Sequence, residues 1–357
     1  MYFSSQLLST DLYERKELAE LCDSIKHRQY DFIFDNSNVE YYFSDVVYKE
    51  IIASETFQRL ESIKFLGAID YSFRPNGQRA NRRHSRLEHS LGVAILALIY
   101  SSGISLPKRE RQLLIISALL HDIGHSPLSH SLEPALKENF SIDHHVASEM
   151  IITGKSPLGD ELPIILKKHG FDPNEIVDIL AGKYKSEFSE VMSGSINIDT
   201  LEGIPRSSSY YMKQLDTMLS PPRLVEAFID LNEEKLDQFW EKKHKVYSRL
   251  IQSKKGLLCD YISRYYLSEN ISKFEFSDFF LREDQLRKKH KAFFQLLSNP
   301  AKGARLLENS RYVDISFMKR TFYIDPDFKL MSSNDCNKRY KQTKRSESIR
   351  IDTTRDV

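Results

Sequence analysis

Two stretches of this chain are apolar on every side, and both read as helices. From Arg86 to Ser101, Leu87, Leu91, Ile95 and Leu98 mark one helical face, while Gly92, Val93 and Leu96 make the other apolar too. A second such helix is predicted from about Arg109 to Ile123, with Leu113–Leu120 as its apolar run and Gly124 as its stop. A helix that is apolar all round lies at the centre of its domain. Both runs are far shorter than the roughly 20 residues that span a bilayer, so other helices must wrap around them. Composition agrees. With 13 Gly and 12 Pro in 357 residues, breakers are scarce, which favours long helices over many turns. A hydrophobic share of 41% supports a sizeable core and excludes a wholly disordered chain.

The charges nearly cancel, 51 Lys+Arg against 50 Asp+Glu, so no global field marks a DNA or membrane protein. Cys22, Cys259 and Cys336 are odd in number and far apart, which speaks against a disulfide framework. The N-terminus shows no basic segment followed by an apolar run, so the expectation is a soluble, cytoplasmic protein. Thr10 or Asp11 is the expected cap of a first amphipathic helix. Ile69–Phe73 is predicted as a short strand leading to a turn at Pro75-Asn76-Gly77. Further helices are predicted near 144–153, 173–182, 221–268 and 283–298, and the polar segment 332–357 is expected to be disordered. The expected fold class is therefore all-α with a minor β-hairpin.

Seven of the eleven histidines fall between residues 84 and 145. That density points to a metal or phosphate site. The sharpest feature is His121-Asp122 at the end of the second apolar helix, with His89 on the first. Imidazole and carboxylate suit Mn, Fe, Mg, Zn or Ni. A helix C-terminus adds partial negative charge that favours a cation. Taken alone, His121-Asp122 is as readily a solvent-facing helix end. His130 and Glu133, if helical, share one face, and the carboxylate would orient the imidazole as a general acid. No G-x-G-x-x-G, P-loop, C-x-x-C or G-x-S-x-G motif is present.

The segments HSRLEHSLGV at 84–93 and HDIGHSPLSHSLE at 121–133 resemble the HD-domain phosphohydrolases. Within them the chain is most similar to the deoxynucleotide triphosphohydrolases, the bacterial dGTPases and the SAM-and-HD enzyme. FQRLESIKFLG at 57–67 and the H-x-x-A-S stretch at His144–Ser148 extend the resemblance, which covers roughly residues 45–215. It implies an HD-domain helical fold over residues 40–230, with a helical extension at 1–39 and a C-terminal helical lobe at 231–331. It also implies a divalent metal held by His89, His121, Asp122 and Asp199, the last in SINIDTLEG. His130 and Glu133 match the catalytic proton-handling pair, and Arg86, His125, His144 and Arg206 match substrate-binding positions. For His84 and His145 a surface or hydrogen-bonded histidine is the expectation.

The family pattern is also broken. Where these enzymes continue D-[KR]-x-D-Y-x-x-R-D, this chain has Thr200 at the Lys position, Gly203 at the Tyr and Ser207 at the final Asp, keeping Arg206. Gly203 and Pro205 are expected to break that helix, since an interior proline costs roughly 3 kcal/mol. Before His89, Arg74, Arg79, Arg82 and Arg83 form a basic loop, either an arginine clamp for phosphates or nucleic acid or a solvated face. The runs Lys242–Lys245 and Arg287–Lys291 are expected to be solvated faces, and Tyr261, Tyr265 and Tyr266 to be packing residues. The leading expectation is hydrolysis of a dNTP to deoxynucleoside and triphosphate by a homo-oligomer that does not engage a membrane. The alternatives are a phosphodiesterase or single-strand nuclease, with single-stranded nucleic acid as partner, and an inactive nucleotide-binding sensor.

Overall fold

The computed structural model describes residues 40–72, 84–211 and 219–354. The first predicted helix, the 1–39 extension and Arg74, Arg79, Arg82 and Arg83 lie outside the described residues. Helix α1 (Arg86–Gly103) starts at Ser85, whose hydroxyl accepts from the Glu88 amide at 3.3 Å. Every residue from His89 to Ser101 is buried, as an all-round apolar helix demands. It packs against α2 (Lys108–Leu120), buried from Leu113 onward. Helix α2 ends a turn earlier than predicted. Residues 121–124 form a tight turn, because Gly124 is pressed against the next histidine helix. A Cβ at Gly124 would lie 2.1 Å from the His144 carbonyl oxygen, so only glycine lets the His-Asp turn sit there.

Around this pair come α3 (Glu133–Phe140), α4 (His144–Ile152), α5 (Ile198–Tyr211), α6 (Glu233–Val246) and α7 (Lys254–Glu269). The predicted 221–268 helix is really several, with Pro221–Ile229 and a π-turn at Tyr247–Ile251 flanking α6. No described helix is long and apolar enough to cross a membrane.

Three expectations are corrected. Ile69–Ser72 is a helical turn, not a strand: Asp70 accepts from the Leu66 amide, and Tyr71 reaches Glu283, so tertiary contacts override the local alternation. Helix α5 runs through Gly203 and Pro205 unbroken. Its buried side, Leu201, Ile204, Pro205 and Ser208, packs inward, and Glu202 grips Arg206 across the same turn at 2.6–3.0 Å, offsetting the lost amide. Finally, the tail is not disordered through 340–352. Strand β1 (Tyr312–Ile324) pairs antiparallel with β2 (Tyr340–Asp352), from Tyr312↔Asp352 to Ile324↔Tyr340. Buried Val313, Phe322, Tyr340 and Ile351 anchor this ribbon, and backbone pairing orders a segment whose polar composition hid it.

Candidate metal centre and histidine cluster

Helix α1 supplies His89, the turn after α2 supplies His121 and Asp122, and the first turn of α5 supplies Asp199. His89 Nε2 lies 3.2 Å from His121 Nε2 and 3.0 Å from Asp199 Oδ1. Asp122 closes the ring, 3.6 Å from His89 Nε2 and 3.5 Å from His121 Nε2. The other ring nitrogens fix the tautomers. His89 Nδ1 is 2.6 Å from Glu202 Oε2, and His121 Nδ1 is 2.8 Å from the Ala118 carbonyl. Both partners only accept, so each Nδ1 carries a proton, and in the neutral, metal-binding form of the rings each Nε2 turns a lone pair inward. Two lone pairs and two carboxylates then face one point, which repels itself unless a cation sits between them. Burial favours neutral His89, but Glu202, Asp199 and Asp122 outweigh it and raise its pKa to about 9. Without a cation the ring therefore takes a second proton on Nε2, toward Asp199, and a metal ion would replace that proton. The pocket draws positive charge.

A second layer holds these donors. Glu202 is fully buried; burial pushes its carboxyl up, yet Arg206 and His89 prevail and hold it at about 2. Arg86 donates to Asp122 Oδ2 at 2.5 Å and to the Ser129 hydroxyl at 3.1 Å. Both arginines were expected at the substrate. The structure places them behind the donors, with buried Arg86 on Asp122 and half-buried Arg206 on Glu202 and the Glu88 carbonyl. Gly203, at the position of the missing tyrosine, lets α5 approach closely: a Cβ there would meet Phe65 Cζ at 3.0 Å and His89 Cε1 at 3.6 Å. Thr200 lines the larger cavity but brings no charge to it. Its amide and hydroxyl both bond Asn197 Oδ1 at 2.9 Å, capping the helix.

Next to this ring, His125, His130, Glu133 and His144 converge. His125 and His144 stack at 4.5 Å, and His130 stands edge-on to both. Glu133 Oε2 lies 2.7 Å from His144 Nδ1 and 3.4 Å from His130 Nδ1, so one carboxylate serves two imidazoles. Those two rings hold Glu133 far below the usual carboxylate range against the opposing effect of burial. His125 is buried, its Nε2 3.1 Å from Asp122 Oδ1, and burial together with Arg86 keeps it neutral. His84, expected to be ordinary, is buried, stacked on Tyr210 and bonded to Asp70 at 3.2 Å.

Two cavities meet at Asp199. One, of about 470 Å³, is lined by His121, Asp122, His144 and His145 with Val93, Ile152, Val177 and Leu180. The other, of about 1230 Å³, is lined by His130, Glu133, Trp240, Lys243, Tyr247 and Arg320, and by Tyr261 and Tyr265, which thus do more than pack. Glu202, which stands at the second Asp of the D-[KR]-x-D-Y pattern, was not singled out as a site residue, and Lys243 carried no motif. Lys243 is buried, not a solvated charge, with Nζ 3.3 Å from the Ser195 carbonyl and 4.5 Å from the Trp240 ring centroid. Burial pulls its ammonium down to about 8. A signal was present: Leu236, Phe239, Lys243, Val246 and Leu250 share one helical spacing.

Residues 86–194 match the family model described as HD domain. Among curated proteins, an uncharacterized protein of Bacillus subtilis, YwfO, is 31% identical over 169 residues, covering 45% of this chain and 36% of that protein. Human deoxynucleoside triphosphate triphosphohydrolase SAMHD1 is 33% identical over 136 residues, 35% of this chain and 21% of the human protein. The chain thus matches about a third or less of the length of these relatives. A crystal structure of a hypothetical protein from Aquifex aeolicus shares the fold, with a TM-score of 0.59 at 20% identity over 87% of this chain and 96% of that one.

Proposed function

We propose that the protein is a metal-dependent nucleotide phosphohydrolase that converts a dNTP to deoxynucleoside and triphosphate. One observation carries the reading: His89 and His121, their Nδ1 protons held by Glu202 and Ala118, gather both Nε2 atoms around one point with the Asp199 and Asp122 carboxylates. This nitrogen and oxygen donor set fits Mn, Fe, Mg, Zn or Ni, with His89, His121, Asp122 and Asp199 as the holding residues. When bound, such an ion lowers the pKa of water and neutralises charge on a phosphate. The similarity to a protein named as a deoxynucleoside triphosphate triphosphohydrolase supports the substrate class.

The chain's own residues do the rest. Arg86 keeps Asp122 ionised and oriented. Water adds at the α-phosphorus, the bond to O5′ breaks, and the leaving alkoxide takes a proton from His130. Glu133 stays ionised and orients His130, the proton given up by the added water restores the ring, and His125 and His144 wall the reaction off beside the phosphates. A second reading, phosphodiester or single-strand cleavage, is favoured by one feature, a cavity of about 1230 Å³ that exceeds the usual 300–1,000 Å³ of small-molecule sites.

The test is product analysis. The protein is incubated with Mn²⁺, Mg²⁺, Ni²⁺ or Zn²⁺ and dNTPs, NTPs, cyclic dinucleotides or single-stranded DNA, with Asp122→Ala as control. Inorganic triphosphate is the expected product. Cleaved strands without triphosphate would replace the reading with the nuclease, and metal binding without any turnover would leave a nucleotide sensor.

A further inference from the structure

The two cavities that meet at Asp199 differ in charge. The smaller one is walled by aliphatic side chains and by the acids Asp122 and Glu149. A polyanion is repelled there. The larger one is lined by Lys243, Arg320 and Lys344 together with acids, among which Asp199 and Glu133 are engaged by His89 and His144 and Asp314 faces Arg350. Among the described residues, no carboxylate lies within ion-pair distance of any of the three.

Each of these cations is placed at a cost. The Lys243 ammonium is buried against Trp240 and Phe322 with only the Ser195 carbonyl within hydrogen-bond reach. An ammonium buried without an anion is unfavourable. Half-buried Arg320 donates to the Tyr247 hydroxyl at 3.2 Å. It stands directly across the ribbon from Lys344, a pairing of like charges that destabilises a sheet. Their neighbours show the ordinary remedy: Lys319 and Arg345, also opposite one another, share Glu347. Arg320 and Lys344 have no such partner. Among the described residues, three cations without an ion-pair partner, Lys243 favoured only at longer range by Asp199, run from a buried position on α6 to the exposed rim of the ribbon.

We propose that Lys243, Arg320 and Lys344 form a track for a polyphosphate chain, holding phosphates beyond the one at the metal centre. The naming of a nucleotide's polyphosphate as ligand rests on the phosphohydrolase reading; the anion track itself does not. It places phosphates on the ribbon side of Asp199 and leaves the smaller, aliphatic cavity for an uncharged group. It also supplies, from α6 and β1, the cation that Thr200 does not.

The test is calorimetric titration of the full-length protein with inorganic triphosphate, in the buffer used for turnover. Lys243→Met and Arg320→Met should each weaken binding about tenfold or more, the scale of a lost charge-assisted hydrogen bond. Lys344→Ala, at an exposed position that folding tolerates, should weaken it by a smaller factor, about twofold to fivefold. Lys243→Arg should restore much of the affinity, and the melting temperature of Lys243→Met should not fall. Unchanged affinity in all three variants overturns the track, even if turnover is intact. A short single-stranded oligonucleotide binding through Lys243 and Arg320 while triphosphate does not bind also overturns it. Triphosphate binding lost in the variants, in a protein that hydrolyses nothing, upholds the track and sinks the phosphohydrolase reading alone.

Discussion

The two histidine groups lie side by side yet are built on opposite electrostatic plans. Around His89 and His121, acceptors sit behind the rings, so protons point outward and lone pairs point in, toward two carboxylates. Around His130 and His144, a single carboxylate sits between the rings, so Nδ1 protons point in and the outer nitrogens are left for whatever enters. The first arrangement concentrates negative charge and suits a cation. The second spreads one negative charge over two imidazoles and suits proton transfer and anion contact. Histidine count alone does not distinguish them. What distinguishes them is the acceptor on the far side of each ring.

This contrast can be broken by substitution. Asp199→Ala should remove bound metal, read by elemental analysis, and drop turnover to background. Glu133→Gln should leave metal content intact while kcat falls by about 10²–10⁴, the range of a lost proton-transfer group. If Glu133→Gln also strips the metal, the two groups are one site and the contrast fails. Glu202→Gln touches only the layer behind His89. It should weaken metal affinity by about 10–100-fold, the usual effect of losing a second-layer partner, with proton transfer less affected. A Glu202→Gln protein that binds metal as the wild type does would show that the Nδ1 acceptor is immaterial.

Much of this was legible in the sequence. The apolar-all-round helices announced themselves by periodicity, and His-Asp at the end of one of them was visible as a costly burial. Other features depended on contacts remote in sequence. Glu202 gave no sign of meeting His89, 113 residues away. The buried partners of Arg86 and Arg206, Asp122 and Glu202, could not be assigned from spacing alone. Pro205 argued against a helix that packing sustains. Lys243 disappeared into a run of charges, although the apolar residues at its own helical spacing marked it as inward-facing. The ribbon was hidden for a different reason: β2 is polar, and pairing with the more apolar β1 orders it.

The contrast also extends to stability, through Glu283. This residue comes from the C-terminal part of the chain and is buried. Its Oε2 accepts from the Leu128 amide at 2.9 Å and the Lys64 amide at 3.1 Å, and its Oε1 lies 2.5 Å from the Tyr71 hydroxyl. Leu128 has a left-handed backbone, φ +60, in the turn that leads from His125 to His130. Glu283 therefore holds the loop of the proton-handling group and touches nothing in the metal ring. Burial raises its pKa from 4.5 to about 7, with Asp70 adding to the effect and Tyr71 and the two amides opposing it. Because the folded-state value lies above the unfolded one, its contribution is fully present below about pH 4.5 and is lost as pH rises through about 7. The size is on the order of 2–3 kcal/mol. Glu283→Gln cannot ionise, and its amide can still accept from the backbone and donate to Tyr71. The stability of the wild type relative to Glu283→Gln, measured by denaturant titration, should thus decline between about pH 5 and pH 8. Over the same range, hydrogen exchange at residues 126–131 should rise in the wild type but not in the variant, while the amides of 86–103 stay protected in both. A flat difference across that range would show that Glu283 is already ionised in the fold and that the loop owes its position to the two amide bonds alone.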